Sequence, residues 1–388
     1  MYRFHPAKGW QLPTVEPAGW IKPDSFPRCR LPREFAVFTG DLPPVQIRDA
    51  QQAPSTLVQV LAAEGALLLT GPYPYIDGVH RFCQRQKGAL VGAGEIAHFT
   101  DPVERRAVLK SQRRQRLHRL LVAMQGERLL QVDQAPPLSR VPDWLQEPPG
   151  PDPFLIPVRR LQRILTDIER ARQGLPVQAL GQRLAILPHV YVPSDQSVPS
   201  MLLEYGACME GRRVLDVGTG TGILALLAAR LGAAQVVAVD FNDNAVRNAR
   251  LNVGSLGFGD RIEVPPPGDL FQPVRGRRFD TILFNAPWIQ GSPQSLYDTA
   301  LYDPDFQVLD AFLDAAPRYL APGGSILLQY AHIALRSGQD GRGHLHQVLA
   351  ANGLEIIGAH VKEHQSRLAG GRAQLYLYEI CRKGSRSQ

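Results

Sequence analysis

The sequence has few of the features that mark a disulfide-bonded, secreted or membrane-spanning protein. It contains four cysteines (Cys29, Cys83, Cys208 and Cys381) with no C-x-x-C pair, so we expect reduced thiols and no cysteine-held metal. The longest apolar runs, such as Ile223–Ala229, are far too short to cross a bilayer. The N-terminus lacks the apolar stretch of a signal peptide. These absences predict a cytoplasmic protein with no membrane contact.

The charge balance is only modestly basic. There are 43 Lys and Arg residues against 36 Asp and Glu, a formal net charge of +7 that arginine carries almost alone. A basic protein can bind an anionic partner such as RNA, DNA or an acidic ligand, but an arginine-rich proteome gives the same balance without one. The 44% hydrophobic content predicts a globular fold, and 388 residues are enough for two domains.

Two proline-rich stretches divide the chain. Residues 1–50 predict an irregular arm over a core, and the stretch from Pro136 to Pro157 predicts a packed linker. We therefore expect three parts: an N-terminal domain over residues 1–157 that recognises the substrate, a helix-and-hairpin connector over 158–197, and a C-terminal domain over 198–388. The connector helix is expected at Val158–Gln173, because Gly174 and Pro176 would end it.

The N-terminal part mixes helix and strand signals, which indicates an α+β domain. Ser55–Glu64 predicts a short helix capped by Ser55, Ala66–Thr70 a buried strand, and Gly71–Tyr75 a turn. A helix rich in arginine is expected to start at Asp101 and to run to about Gln125. Its basic residues fit either a solvated face or a surface for phosphate or acidic protein.

From Met201 onward, apolar strands alternate with helices, which is typical of parallel βαβ units in a doubly wound sheet. The last two strands follow one another closely and predict an antiparallel pair. The predicted strands are Val214–Gly218, Val236–Asp240, Ile262–Val264, Thr281–Asn285, Ser325–Tyr330, Glu355–Val361 and Ala373–Ile380, and the predicted helices are Thr221–Leu231, Asn242–Val253 and Pro304–Tyr319.

A glycine-rich turn follows the first of these strands. Glycines at 218, 220 and 222 let the backbone turn sharply and approach a ligand closely. Asp240 ends the next strand, where a carboxylate can accept hydrogen bonds from a ribose diol. A nicotinamide dinucleotide site would need G-x-G-x-x-G, but Ile223 occupies the third glycine position. The acidic Asp216 instead favours a cofactor with a positive charge and an amino-acid tail.

These residues resemble the class I S-adenosylmethionine (SAM)-dependent methyltransferases, most closely the HemK/PrmC-like branch, which methylates the side-chain amide of glutamine in release factors. The resemblance covers about residues 175–380 and implies a Rossmann-like seven-stranded sheet whose last strand is antiparallel. The motifs are Asp216-Val-Gly-Thr-Gly-Thr-Gly222, Asp240-Phe-Asn242, Gly268-Asp-Leu-Phe271 and Phe279-Asp-Thr-Ile-Leu-Phe-Asn-Ala-Pro-Trp288.

The resemblance implies SAM as cofactor, S-adenosylhomocysteine (SAH) as product and no metal. Asp216, Gly218 and Gly220 would line the methionine end of SAM, and Asp240 would bind the ribose. Phe241 would flank the adenine, whose amino edge Asp269 and Leu270 would receive. The full set of implied cofactor residues is Asp216, Gly218, Thr219, Gly220, Gly222, Asp240, Phe241, Asn242, Asp269, Leu270 and Asn285.

Asn285-Ala-Pro-Trp288 is the candidate catalytic motif. The Asn285 side-chain oxygen and the Ala286 carbonyl can accept hydrogen bonds from a target N–H, which turns the nitrogen lone pair toward the methyl group. Trp288 offers a flat surface for a planar group. The family has N-P-P-Y here, so Ala286 and Trp288 depart from it, while Pro287 is retained. Tyr191, Pro193 and Ser197, in a segment that departs from the family's V-L-I-P-R-P-E-T, are candidate substrate contacts.

The sequence therefore predicts a SAM-dependent N-methyltransferase that acts on a planar nitrogen: an amide, a guanidine or a heteroaromatic amine. The substrate, expected between the two domains, would be a protein side chain or a biosynthetic small molecule. Methylation of an RNA or DNA base is the main alternative, and a SAM-binding module without catalysis is the second. The histidines near His344 and His360 are expected in surface or packing roles, since no metal-ligand spacing accompanies them.

Overall fold

The computed structural model describes residues 3–5, 9–11, 20–21, 29–30, 45–48, 52–63, 65–86, 90–91, 102–145, 150–192, 196–205, 208–291, 293, 295–331, 341–366 and 371–385. Most of the arm predicted over residues 1–50 lies outside these ranges. The chain divides into two units, one made of Met1–Thr14 with Arg170–Gln388 and the other of Val15–Glu169. Met1–Thr14 contributes two antiparallel strands, β1 (Arg3–His5) and β2 (Gly9–Gln11). None of the helices in the described ranges has the length and apolar character to cross a membrane.

The unit Val15–Glu169 is built on a mixed sheet in the order β3-β4-β11-β8-β6-β5, with β9 beside β8 and a separate β7–β10 pair. The β5–β6 and β6–β8 pairs are parallel, whereas β8–β11 is antiparallel. The strands are β3 (Trp20–Ile21), β4 (Cys29–Arg30), β5 (Val45–Arg48), β6 (Ala66–Leu69), β7 (Gly71–Pro72), β8 (Leu120–Gln125), β9 (Arg128–Leu129), β10 (Val132–Asp133) and β11 (Phe154–Pro157); the helices are α1 (Pro54–Ala62), α2 (Tyr73–Arg85), α3 (Pro102–Leu117) and α4 (Val158–Gln173).

Three local predictions for this unit are wrong. Helix α1 begins at Pro54, so Ser55 lies in its first turn and is not the cap. The stretch Gly71–Tyr75, predicted as a turn, forms β7 and then starts α2 at Tyr73. Proline is tolerated in the first turn of a helix, because the N–H that it lacks would have no partner within the helix. Helix α3 ends at Leu117, and Leu120–Gln125 is a strand whose first five residues are buried. An apolar run of this length fits a buried strand or a buried helix equally well.

The unit that contains Arg170–Gln388 begins with the end of α4, which has the predicted bounds, and with the predicted hairpin, β12 (Leu175–Val177) and β13 (Gln182–Leu184). The helices that follow are α5 (Ser197–Glu204), α6 (Ile223–Arg230), α7 (Asp243–Ser255), α8 (Gln307–Ala315) and α9 (Gly341–Ala351). The strands that follow are β14 (Arg213–Val217), β15 (Gln235–Val239), β16 (Ile262–Glu263), β17 (Phe279–Asn285), β18 (Leu320–Ala331), β19 (Leu354–Ser366) and β20 (Gly371–Arg382).

These strands form a seven-stranded sheet in the order β16-β15-β14-β17-β18-β20-β19. Strands β14 to β18 pair in parallel, and β20 is antiparallel to both β18 and β19. The doubly wound sheet with an antiparallel last strand is thereby confirmed. The helix predicted over Pro304–Tyr319 is shorter, because Asp305 and Phe306 have positive φ and delay the start of α8 to Gln307.

Successive residues of the central strands face opposite sides of the sheet. Leu215, Phe284 and Leu328 pack in a core with α8 and α9, whereas Leu283 and Leu327 pack in a second core with α5 and α6. Alternation therefore places Asp216, Asn285 and Gln329 on the face that α5 and α6 cover. The carboxyl ends of the parallel strands meet at one edge, which is where open α/β sheets bind ligands.

Candidate active site

The turn between β14 and α6 depends on its glycines. Gly218, Gly220 and Gly222 have φ of 66°, 56° and 84°, a left-handed conformation that side chains disfavour. A Cβ on Gly222 would lie 3.4 Å from the Cα of Ala249 in α7, so the glycine also lets the turn approach that helix. The turn therefore exposes backbone, not side chains, at the carboxyl edge of the sheet.

Asp216 lies beside this turn with one oxygen bonded and one free. Its Oδ2 accepts hydrogen bonds from Thr219 Oγ1 at 2.6 Å and from the Ala225 backbone N–H at 3.1 Å. Its Oδ1 is buried and has no hydrogen-bond partner in the described part of the chain. Burial raises the pKa of Asp216 to about 7, although both hydrogen bonds oppose the rise. A cationic ligand group at Oδ1 would restore the charged form.

Asp240 follows β15 and braces the turn from the other side. Its Oδ2 accepts the Gly220 N–H at 3.0 Å and its Oδ1 accepts the Asn242 N–H at 2.9 Å. Burial raises the pKa of this carboxyl to about 6. Three backbone N–H groups, those of Gly220, Asn242 and Phe241, thus donate to a carboxylate that has about four lone-pair sites, which leaves one site to accept a hydroxyl hydrogen.

Asp269 and Leu270 lie next to Asp240 in space, because the Gly268 N–H donates to the Asp240 carbonyl at 3.0 Å. Leu270 has a positive φ of 42°. Burial raises the pKa of Asp269 to about 6. Phe241, the residue after Asp240, is half-buried. The structure thus brings the three acidic residues and the glycine turn of the predicted cofactor site to one region.

Three buried asparagines near helix α7 have a structural function that the sequence did not reveal. Asn242 caps the helix by accepting the Asn244 N–H, and its side-chain nitrogen donates to the His189 carbonyl at 2.9 Å. Asn248 and Asn252 make four hydrogen bonds of 2.8–3.1 Å with the backbone of residues 185–187, and Asn252 donates a fifth to the Thr221 carbonyl at 2.8 Å. Only the four-residue spacing of Asn248 and Asn252 could have indicated one buried helix face.

Asn285 is the last residue of β17. Its Oδ1 is buried and finds no hydrogen-bond partner among the described residues. The Ala286 N–H donates to the Gln329 carbonyl of β18 at 3.2 Å, and Pro287 is buried. Trp288 is half-buried, and its backbone N–H donates to the Leu301 carbonyl at 3.2 Å. The motif thus extends from the sheet edge with a free amide oxygen at its start.

Asp303 links the loop after Asn285 to the start of helix α8 by hydrogen bonds. The Asp303 N–H donates to the Ile289 carbonyl at 2.9 Å, and its carboxylate caps α8 by accepting the N–H groups of Val308 and Leu309. Burial raises the pKa of Asp303 to about 7.

Of the candidate substrate residues, Tyr191, Ser197 and Trp288 lie in the described ranges. Tyr191 is half-buried, its carbonyl would be 3.9 Å from a Cβ on Gly220, and its ring centroid is 5.8 Å from that of Tyr297. Ser197 is buried at the start of α5, and Pro193 lies outside the described residues. Tyr297 had no sequence signal, because it precedes a short 3-10 helix and belongs to no motif.

His344 and His360 contact neighbouring side chains, as expected for surface or packing roles. His344 Nε2 is 2.7 Å from Asp310 Oδ1, and its ring stacks on Phe306. His360 Nε2 is 3.1 Å from Glu204 Oε2.

The site fits SAM. A free carboxylate oxygen buried beside the glycine turn suits the ammonium group of the methionine tail, which a dinucleotide lacks. Asp216 and the turn would hold that tail, Asp240 the ribose, and Asp269 with Leu270 the adenine edge. With the sheet order and the site at the carboxyl edge, these features define a class I SAM-dependent methyltransferase.

Comparisons with known proteins agree. The family model of ribosomal protein L11 methyltransferase (PrmA) matches residues 201–286. A Methanocaldococcus jannaschii protein named for N5-glutamine methyltransferase activity is 33% identical over 160 residues, which are 39% of this chain and 76% of that protein. The ribosomal protein uL3 glutamine methyltransferase of Bordetella pertussis is 32% identical over 210 residues, 47% of this chain and 69% of that protein. A tRNA1(Val) (adenine(37)-N6)-methyltransferase of Phocaeicola vulgatus is 35% identical over 119 residues, 30% of this chain and 50% of that protein.

The chain therefore belongs to the SAM-dependent methyltransferases, in the HemK-like branch. It is an enzyme whose cofactor is SAM.

Proposed function

We propose that this enzyme transfers a methyl group from SAM to a planar nitrogen, and that its acceptor is the carboxamide nitrogen of a glutamine side chain in a protein. The observation that supports the proposal is the buried, unpartnered Asn285 Oδ1 at the carboxyl end of β17. A hydrogen-bond acceptor left open at this edge of the sheet is suited to an N–H donor that arrives with the substrate.

An amide nitrogen is a poor nucleophile because its lone pair is delocalised. Asn285 Oδ1 would accept one N–H of the acceptor and fix the direction of the lone pair, with the Ala286 carbonyl as the second acceptor that the sequence suggests. Bound SAM supplies a methyl group on a positively charged sulfur. In the transfer, the nitrogen would form its bond to carbon as the carbon–sulfur bond breaks, the electron pair would stay on sulfur, and the nitrogen would release one proton to water. Proximity and alignment then supply most of the rate.

Protein is favoured as acceptor because two relatives are named for protein glutamine methylation. The half-buried Trp288 gives a planar amide a surface on which to lie. We further propose that the N-terminal part, residues 1–157, selects the acceptor protein, since Val15–Glu169 forms a unit of its own.

Transfer of a labelled methyl group from SAM into fractionated cell extract tests the proposal. We expect label in protein with the wild-type enzyme and a loss of about 100-fold with Asn285→Ala. SAH affinity separates this role from the cofactor contact that the resemblance implies for Asn285, and it should change little, because the free oxygen of Asn285 serves the acceptor. Asn352→Ala, a half-exposed asparagine at the end of α9 that bonds only within its own turn, is the matched control and should keep full activity.

Three outcomes contradict the proposal in different ways. Label in RNA or DNA would replace protein by a nucleic acid base as the acceptor. Label only in small molecules would replace it by a metabolite. Equal activity of Asn285→Ala and wild type would refute the role of Asn285.

A further inference from the structure

An open groove lies on the unit Val15–Glu169, between the start of helix α1 and one face of helix α2. Its volume of about 390 Å³ is within the range of roughly 300–1,000 Å³ that ligand pockets occupy. None of the residues that line it belongs to the candidate cofactor site or to the catalytic motif. Its walls include Pro54, Tyr75, Gly78, Arg81, Phe82 and Arg85.

Gly78 keeps the middle of this groove open. It lies inside the 13-residue helix α2, where glycine is less favourable than alanine. Its φ is not positive, and a Cβ built on it would have no atom of the described chain within 4 Å. Neither the backbone conformation nor a close neighbour therefore requires glycine at this position. A larger side chain here would occupy the groove.

Two aromatic rings lie on either side of Gly78. Tyr75 and Phe82 are seven residues apart, so they stand on the same face of α2, separated by about 10 Å along the helix axis. The Tyr75 hydroxyl donates to the Gln52 carbonyl at 2.7 Å, which fixes that ring. Both residues are half-buried. An aromatic side chain placed over Gly78 can therefore contact both rings.

The groove carries one uncompensated positive charge. Arg81 pairs with Asp77 at 2.5 Å, and Gln162 donates to the same carboxylate. Arg85, in the last turn of α2, is exposed and forms no ion pair or hydrogen bond with the residues that the structure describes. Helix α1 begins at the groove with no acidic residue in its first turn, so its positive end adds to the charge of Arg85.

We propose that this groove is a docking site for a protein segment in which an aromatic side chain stands next to an aspartate or glutamate, and that the enzyme selects its acceptor protein by this segment. The aromatic side chain would lie over Gly78, and the carboxylate would accept hydrogen bonds from the Arg85 guanidinium. The proposal rests on the proposed function and deepens it, because it assigns the selection of the acceptor to one surface within residues 1–157.

The charges favour a protein segment over a nucleic acid. Because Asp77 compensates Arg81, the groove offers one free cation, which matches one carboxylate. A single-stranded nucleic acid carries a phosphate at every nucleotide and needs a positively charged groove that follows its backbone. The Asp77 carboxylate next to the groove opposes such a polyanion.

The test measures the binding of fluorescein-labelled heptapeptides to the full chain by fluorescence anisotropy. The probe is Gly-Gly-Phe-Glu-Glu-Gly-Gly, and two control peptides replace either both glutamates by glutamine or the phenylalanine by alanine. The variant Gly78→Leu fills the groove, and Arg85→Gln removes its free charge. Arg128→Gln is the matched control, because Arg128 is an exposed arginine of the same unit that does not line the groove.

We expect wild type to bind the acidic peptide about 10-fold more tightly than either control peptide. Gly78→Leu and Arg85→Gln should each weaken this binding about 5- to 10-fold, whereas Arg128→Gln should stay within about twofold of wild type. Excess acidic peptide should inhibit labelled-methyl transfer into extract protein, because both compete for the groove. Gly78→Leu should unfold at or above the wild-type temperature, since leucine favours a helix more than glycine does. Arg85→Gln changes an exposed side chain and tests the groove independently of helix stability.

The proposal is overturned if the neutral peptide binds as tightly as the acidic one, or if both groove variants bind like wild type. It is also overturned if a labelled octauridylate binds wild type more tightly than the acidic peptide does and loses this affinity in both groove variants. Failure of the proposed function gives a different result. Label in protein with equal binding of all three peptides refutes the groove alone, whereas label in RNA with the expected peptide binding refutes the glutamine acceptor alone.

Discussion

Binding of SAH should strengthen as the pH rises through about 7, because Asp216 has to be charged to receive the ligand's ammonium group. Burial raises the pKa of Asp216 to about 7 in the free protein. An ammonium next to Oδ1 stabilises the carboxylate and lowers its pKa in the complex, so binding expels the proton wherever the free protein holds it. This cycle fixes the sign. SAH affinity is at its maximum when the pH is above the pKa of Asp216 in the free protein, and it decreases as the pH is lowered below that pKa.

The size of the effect follows from the same pKa. Each pH unit below it costs a factor of about ten in affinity, so SAH should bind about 100-fold more weakly at about pH 5 than at about pH 8, equivalent to about 2.7 kcal/mol. Calorimetric titration in two buffers with different heats of ionisation measures both the affinity and the number of protons released. Below about pH 6 the other raised carboxyls, Asp240 and Asp269, add to the slope.

Asp216→Asn is the control. The variant should bind SAH about 10- to 100-fold more weakly at about pH 8, because a neutral amide replaces one member of a charge-assisted hydrogen bond. Between about pH 6 and 8 its affinity should be flat. A flat profile for wild type over this range, or an unchanged slope in the variant, would refute the assignment of the free Oδ1 to the ammonium.

Three further predictions concern stability, measured by denaturant unfolding without ligand. Burial favours the protonated form of Asp216, so the stability that this form contributes is lost as the pH rises from about 4 through about 7. The variant Asp216→Asn, which carries no charge, should therefore be more stable than wild type at about pH 8. A less stable variant would contradict this. Asn252→Ala should lower the free energy of unfolding by about 2–4 kcal/mol, because it leaves the Thr221 carbonyl and the Ala185 N–H without their partners. A loss below about 1 kcal/mol would show that water replaces the side chain. Gly222→Ala should cost about 1–2 kcal/mol at its φ of 84°, whereas Gly254→Ala, in open space on α7, should stabilise by about 0.5–1 kcal/mol; equal effects would contradict the conformational argument.

Much of the C-terminal fold could be predicted because its signals are local. The connector helix has the predicted bounds, since proline and glycine ended the periodic pattern at Gly174. The segment Leu120–Gln125 shows the limit of such reasoning. Its run of apolar residues is compatible with helix or strand, and only pairing with β6 and β11 makes it a strand.

The sequence by itself determined the local part of the candidate cofactor site, because a strand, a glycine turn and a helix lie within Arg213–Arg230, and chain geometry alone brings Asp216 to the turn. The tertiary structure decided what surrounds Asn285. Gln329 has no motif, and it becomes a neighbour of Asn285 only through the parallel register of β17 and β18. Register follows from the packing of whole strands against both cores, so a residue distant in sequence can lie next to a site residue although no local pattern indicates it.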